Sequence, residues 1–210
     1  MAEEYKKLFK NKDFLLSLAI GLMLLCASMV VGVYAGQYAT ESASSPVTDI
    51  VLNNIPVFDL DGVLFYGPFV FWAYVAFLGI KKPRRLPFIF KSVAVFVLVR
   101  SVFISLTHIG PFPDQEAMLN PQTFLEKFMF GGDLFFSGHT GLPFLMALIF
   151  HKNKKLFVFF TLIAIFFGIV VLLAHLHYSI DVLAAFFITY TIYHIASYLF
   201  KKDKELFEEN

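Results

Sequence analysis

Six apolar stretches divide this chain, and the segments between them alternate between basic and non-basic. The stretches cover roughly residues 14–35, 63–80, 86–106, 134–150, 156–173 and 180–200. About 20 apolar residues in a helix span the hydrocarbon core of a bilayer, where every backbone polar group must be satisfied internally. Lys6, Lys7, Lys10 and Lys12 come before or at the start of the first stretch. Lys81-Lys82-Pro83-Arg84-Arg85 follows the second, His151-Lys152-Asn153-Lys154-Lys155 the fourth, and Lys201, Lys202 and Lys204 the sixth. The segments 37–61, 108–133 and 174–180 are acidic or mixed. Lys and Arg in short loops mark the cytoplasmic side. The pattern therefore predicts an all-α integral membrane bundle of six transmembrane helices, forming a single transmembrane domain over 1–210. Both termini are expected in the cytoplasm.

Composition points the same way. The chain is 58% hydrophobic with only 16% charged residues, Phe occurs 28 times, and mean hydropathy is +0.71. A soluble domain could not keep that much apolar surface from water. A net charge of +1 offers nothing for nucleic acid to bind. The lone Cys26 rules out an internal disulfide. The first stretch exceeds the 7–15 residues of a signal-peptide core and reads as a span. Residues 121–130 suit a short amphipathic helix on the interface.

Polar residues within or beside the spans carry the functional signal. A charge at the centre of a span costs about 2.5–3.5 kcal/mol on insertion scales. Arg100 lies about two turns before the outer end of the third stretch. It either snorkels to the headgroups or aims its planar fork at a lipid phosphate. His177 and Asp181 are four residues apart, so on a helix they share one face. Such a pair can be structural, or the carboxylate can fix the imidazole tautomer and leave the other nitrogen to attack an electrophile. His139 opens a different span on the same expected face, placed to protonate a leaving oxygen. His175 and His177 form a His-x-His pair, which serves as a metal pair only on extended backbone. His108, His151 and His194 read as structural, and no metal or other cofactor is expected.

These residues sit in two motifs that resemble the sphingomyelin synthase family. Gly132-Asp133-Leu134-Phe135-Phe136-Ser137-Gly138-His139-Thr140 is similar to its C-G-D-x-x-(Y/F)-S-G-H-T motif, with Gly131 in place of the Cys. The stretch from His175 to Val182 is similar to its H-x-H-Y-(T/S)-(I/V)-D-V motif. The similarity covers about 84–194, and the wider relatives are the metal-independent type 2 phosphatidic acid phosphatases. The resemblance implies that His177 is the nucleophile forming a phospho-histidine, Asp181 its activator, and His139 the acid and base for leaving and entering alcohols. It also implies that Asp133, Ser137, Gly138 and Tyr178 line the substrate with Arg100. The Pro-rich motif upstream in animal synthases survives only as Ile55-Pro56-Val57-Phe58-Asp59.

The expected activity is transfer of a phospho-headgroup from a phospholipid donor to a lipid alcohol acceptor at the outer face. Ceramide and diacylglycerol are the acceptor classes. The expected partners are these lipids and the bilayer, without nucleic acid, and a homo-oligomer is allowed. A rival in chemistry is a lipid phosphatase or phospholipase C-like hydrolase, with water as acceptor. A rival from another class is a lipid-binding or transport protein, although its site would belong near the bilayer midplane. The type 2 phosphatases typically carry an Arg six residues before the nucleophile and a Pro before Ser-Gly-His. Here Val171 and Phe136 occupy those positions, which favours a diester substrate over a monoester.

Overall fold

The structure, a computed structural model, describes residues 5, 8–113 and 135–209. Asp133 and the helix expected over 121–130 lie outside the described residues. Among the described residues all regular structure is helical. The order is α1 (Lys12–Glu41), a 3-10 turn (Leu52–Asn54), α2 (Asp61–Lys81), a second 3-10 turn (Pro83–Arg85) and α3 (Leu86–Leu106). Then come α4 (Gly138–Ile149), α5 (Lys154–Leu173), α6 (Ser179–Leu199) and α7 (Lys201–Glu208).

Five of these are long and apolar enough to cross a membrane: α1, α2, the helical segment Pro83–Leu106, α5 and α6. The fourth expected span is shorter than its apolar stretch. Helix α4 has 12 residues, about 18 Å at the α-helical rise and well short of a hydrocarbon core of about 30 Å. It starts late because Phe136 takes a left-handed φ of 33° and Ser137 caps the helix behind it. Helix α1 departs the other way and runs through residues expected in a loop. The amide of Gln37 donates to Glu41 at 2.8 Å, an i,i+4 bond that carries the helix to its last residue. Helix α7, expected only as a basic tail, is amphipathic and turns Phe207 into the core.

Helix α1 packs along α3, while α4 sits against both α5 and α6. Close approach at α4 requires glycine. A Cβ on Gly141 would stand 2.7 Å from the Phe96 ring and 2.9 Å from the Thr189 hydroxyl. The core is built from Phe88, Phe96, Phe136, Leu145, Met146, Phe160 and Ile192, all nearly or fully buried. Leu16, Met23, Val30, Val70, Leu162 and Phe187 are exposed on the outside of the bundle. That apolar exterior suits lipid and would be untenable in water.

Connectivity places the basic segments together at one end. Lys91 Nζ donates to Asp203 Oδ2 at 2.6 Å and to Ser17 Oγ at 2.7 Å, joining α1, α3 and α7. This answers the lysine inside the third apolar stretch, since a buried charge needs a partner. The Arg85 guanidinium lies between the Phe150 and Phe207 rings, 5.3 and 5.2 Å from their centroids. Lys152 pairs with Glu208 at 2.6 Å at the same end. The non-basic loops meet at the opposite end. There the Phe58 N–H donates to the Leu173 carbonyl at 2.9 Å, and the Ser44 N–H to the His108 carbonyl at 2.9 Å.

Candidate active site

The two motifs converge at that second end. The Ser137 N–H, just before α4, donates to the Asp181 carbonyl in the first turn of α6 at 3.2 Å. Ser137 is fully buried, and its hydroxyl oxygen accepts the Thr140 N–H at 3.3 Å, which starts α4 with His139 in its first turn.

The second motif begins as the end of α5. The His175 N–H donates to the Leu172 carbonyl at 3.0 Å and the Leu176 N–H to the Val171 carbonyl at 2.9 Å. This is a Schellman closure, with His175 in the left-handed position that glycine usually takes, at a φ of 51°. Leu176 and Val171 pack in one apolar cluster, the contact that accompanies such closures. His175 is therefore a helix-terminating residue, with its ring edge-on to Phe112 at 5.1 Å. Two left-handed non-glycine residues, Phe136 and His175, precede the two motif histidines. Each such residue costs about 1–3 kcal/mol and persists only where its surroundings fix it.

The closure delivers His177 into the turn between α5 and α6. His177 Nδ1 faces Asp181 Oδ2 at 3.5 Å, a separation of an ion pair and longer than a tight hydrogen bond. His177 is 6% exposed and Asp181 fully buried, so water does not screen them. The Tyr178 N–H donates to the same Oδ2 at 2.9 Å, half of a capping box at the start of α6. The carboxylate thus serves the helix and faces the imidazole at once. With Nδ1 directed at a carboxylate, the lone pair of such an imidazole is held on Nε2.

His139 is partly buried beside this pair. Its ring lies 6.0 Å from that of Phe167. Arg100, from α3, donates through Nε to the Phe136 carbonyl at 3.1 Å. A Cβ on Gly138 would stand 3.6 Å from that Nε, so the guanidinium stem runs beside the first turn of α4. His139, His177, Asp181, Arg100, Ser137 and Gly138 are gathered at one end of the bundle. Tyr178 is there too, but buried, and its hydroxyl donates to the Gly110 carbonyl at 2.8 Å and accepts the Val47 N–H at 3.2 Å. Burial pushes this phenol up, against the Val47 N–H, and the Asp181 and Asp49 carboxylates push it up further. It stays protonated as a donor.

Asp49 is the participant that sequence reasoning missed. It is 7% exposed; its Oδ2 accepts the Ser179 N–H at 2.7 Å, and its Oδ1 accepts the Val51 and Leu52 N–H groups at 2.8 and 3.1 Å. One carboxylate caps both α6 and the 3-10 turn of the loop that covers its start. Burial raises its pKa, but the bonds from Ser179, Leu52 and Val51 hold it below the ordinary 3.8. In sequence it is one of several acidic residues in a polar loop, and nothing sets it apart.

His108 stacks edge-on to Tyr38, His151 bonds the Leu148 carbonyl at 2.9 Å, and His194 packs against Tyr190 and Tyr193. Among the described residues no three His, Cys, Asp or Glu side chains group to hold a metal.

Residues 131–198 match the family model described as PAP2 superfamily C-terminal. The match covers less than half of the chain and includes His139, His177 and Asp181. It supports the type 2 phosphatidic acid phosphatase superfamily, and in general a lipid phosphatase or phosphotransferase type of activity. Comparison with curated proteins and with solved structures finds no match.

Proposed function

We propose that this chain is a membrane lipid phosphotransferase of sphingomyelin synthase type. It moves a phospho-headgroup from a glycerophospholipid to a lipid hydroxyl through a phospho-histidine on His177. The observation that carries the reading is the His177–Asp181 pair at 3.5 Å, bound through the Asp181 carbonyl to the turn that presents His139. In the first half-reaction His177 Nε2 attacks phosphorus, the bond from phosphorus to the diacylglycerol oxygen breaks, and His139 protonates that oxygen. In the second, His139 takes the proton of the acceptor hydroxyl, whose oxygen attacks phosphorus, and the phosphorus–nitrogen bond breaks. Asp181 stabilises the imidazolium throughout, and Arg100 steadies the phosphate oxygens.

Two features support a diester donor over a monoester. A monoester carries nearly two charges at neutral pH. Val171, in the position where phosphatases place an arginine, is fully buried in an apolar cluster and leaves no room for a second cation there. In this reading α4 is the fourth of six crossings, and the basic end is cytoplasmic with both termini. The site then faces the periplasm, cell exterior or organelle lumen.

The test offers purified protein a headgroup-bearing phospholipid and phosphatidic acid at equal surface density, with ceramide or diacylglycerol present. Headgroup transfer to the lipid alcohol, with some accompanying hydrolysis by water, is expected. Rapid phosphate release from phosphatidic acid with no transfer would replace this reading with a phosphatase.

A further inference from the structure

Two loop segments are sewn to the turn that carries His177. From the first, the Val47 N–H donates to the Tyr178 hydroxyl at 3.2 Å, and Asp49 Oδ2 accepts the Ser179 N–H at 2.7 Å. From the second, the Gly110 carbonyl accepts the Tyr178 hydroxyl proton at 2.8 Å. The segments are also tied to each other. The Ser44 N–H donates to the His108 carbonyl at 2.9 Å, and the Gly110 N–H to the Ser45 carbonyl at 3.3 Å. Among these polar ties lies a small apolar core, in which buried Leu52 and Tyr178 pack with Ile55, Ile109 and Phe112. The Phe112 ring stands edge-on to Tyr178 at 6.1 Å. Ordering two loops this thoroughly costs conformational entropy, which a plain connection between helices does not require. In the turn so covered, His177 and Asp181 are both buried.

We infer that Tyr178 and Asp49 set the choice of acceptor: they pin the loop segments over the His177 turn, keep water from the phospho-histidine and so favour a lipid alcohol. The inference rests on the phosphotransfer proposed above. Two acceptors compete there for one bond. Attack by water breaks the phosphorus–nitrogen bond and releases the headgroup as its phosphate monoester. Attack by a lipid hydroxyl breaks the same bond and makes a new phosphodiester. In either case the proton of the attacking oxygen passes to His139. The chemistry at phosphorus is thus common to both, and access decides between them. Water reaches the turn from the loop end, whereas a lipid alcohol arrives from within the bilayer. A cover at the loop end therefore slows hydrolysis and spares transfer. Tyr178 and Asp49 act through the loops and the turn, so both are positioning residues.

The test places the full chain in vesicles of headgroup-labelled phosphatidylcholine, phosphatidylethanolamine and phosphatidylglycerol. Ceramide and a short-chain diacylglycerol serve as acceptors, because their products separate from the donors. The quantity read is the ratio of released headgroup phosphate to labelled product lipid, which does not depend on how much of the protein is folded. Tyr178→Phe keeps the ring in its apolar core and removes only the hydroxyl. It should raise the ratio by about 2–10-fold, the scale of one lost hydrogen bond. Asp49→Ala releases the Ser179, Val51 and Leu52 N–H groups together and should raise it further. Asp203→Ala, which loosens the opposite end, should keep the native ratio. A ratio unchanged in both Tyr178→Phe and Asp49→Ala would overturn the inference and leave the proposed function standing. A ratio raised as much in Asp203→Ala would do the same. A native chain that transfers no headgroup would remove the proposed function and this inference with it.

Discussion

Ser137 and Asp181, one from each polar motif, are joined main chain to main chain, the Ser137 N–H donating to the Asp181 carbonyl at 3.2 Å. A rigid link of this kind makes the His139 turn and the His177 turn one unit. The Ser137 hydroxyl has a separate task, capping α4 at Thr140. Ser137→Ala should therefore cost about 1 kcal/mol of stability, as cap losses do, with most activity kept. Ser137→Pro deletes the linking N–H and should abolish turnover. Thermal midpoints and initial rates in detergent separate the two effects.

The left-handed backbone at His175 predicts an unusual tolerance. Glycine adopts that conformation without strain, whereas a β-branched residue does so poorly. His175→Gly should keep the helix end and much of the activity while losing the ring contact with Phe112. His175→Val should destabilise the chain by about 1–3 kcal/mol. If His175→Gly were as dead as a nucleophile variant, the residue would have a chemical role that its place in the turn does not give it.

Lys91 and Asp203 hold the opposite end together at 2.6 Å, both nearly buried. Removing one partner leaves a charge uncompensated, so Asp203→Ala should cost about 3–5 kcal/mol. Lys91→Met combined with Asp203→Leu should recover most of that loss. Activity per folded molecule should change little in either case, because the pair lies at the other end of the bundle. The check is a denaturation curve for each variant beside a rate normalised to folded protein.

Asp49 gives the fold an acid limit. Its carboxyl titrates below the ordinary 3.8 in the folded chain, because Ser179, Leu52 and Val51 donate to the charged form. A lowered folded pKa means that the stabilisation is fully present above the unfolded value. It is lost as the pH falls below 3.8 through the folded value. Asp49→Asn should be less stable than the native chain at neutral pH, and the difference should shrink in that acid window. Stability measured against pH for the two proteins decides it, and a gap that persists at low pH would mean that the carboxylate charge is not what caps α6.

Much of this was legible in the sequence, for physical reasons. Apolar stretches about one bilayer long fixed five helices, and the alternation of lysine-rich with acidic segments sorted the loops into two ends. The spacing of His177 and Asp181 let them meet at 3.5 Å, although His177 stands in the turn before α6 and not on a shared helix face. The shortness of α4 was hidden, because hydropathy does not register the turn at Phe136 that starts the helix at Gly138. The role of His175 was hidden in a similar way. The first histidine is a helix terminator, and a left-handed φ outside glycine leaves no mark in composition. Asp49 meets Ser179 and Asp203 meets Lys91 across the chain, so no local pattern could announce those two pairings.

The central claim is that His177 carries phosphorus between donor and acceptor. Its most direct test is to quench turnover of a phosphorus-labelled diester phospholipid and recover the protein. A phosphorus–nitrogen bond is labile to acid and stable to base, which distinguishes it from a serine or carboxylate ester. Label should appear on His177 in the native chain and be absent, with activity, from His177→Ala. In Asp181→Asn it should form about 10²–10⁴-fold more slowly, since the imidazole remains while its charge partner is gone. Full turnover in His177→Ala, or label recovered on any other residue, would contradict the account.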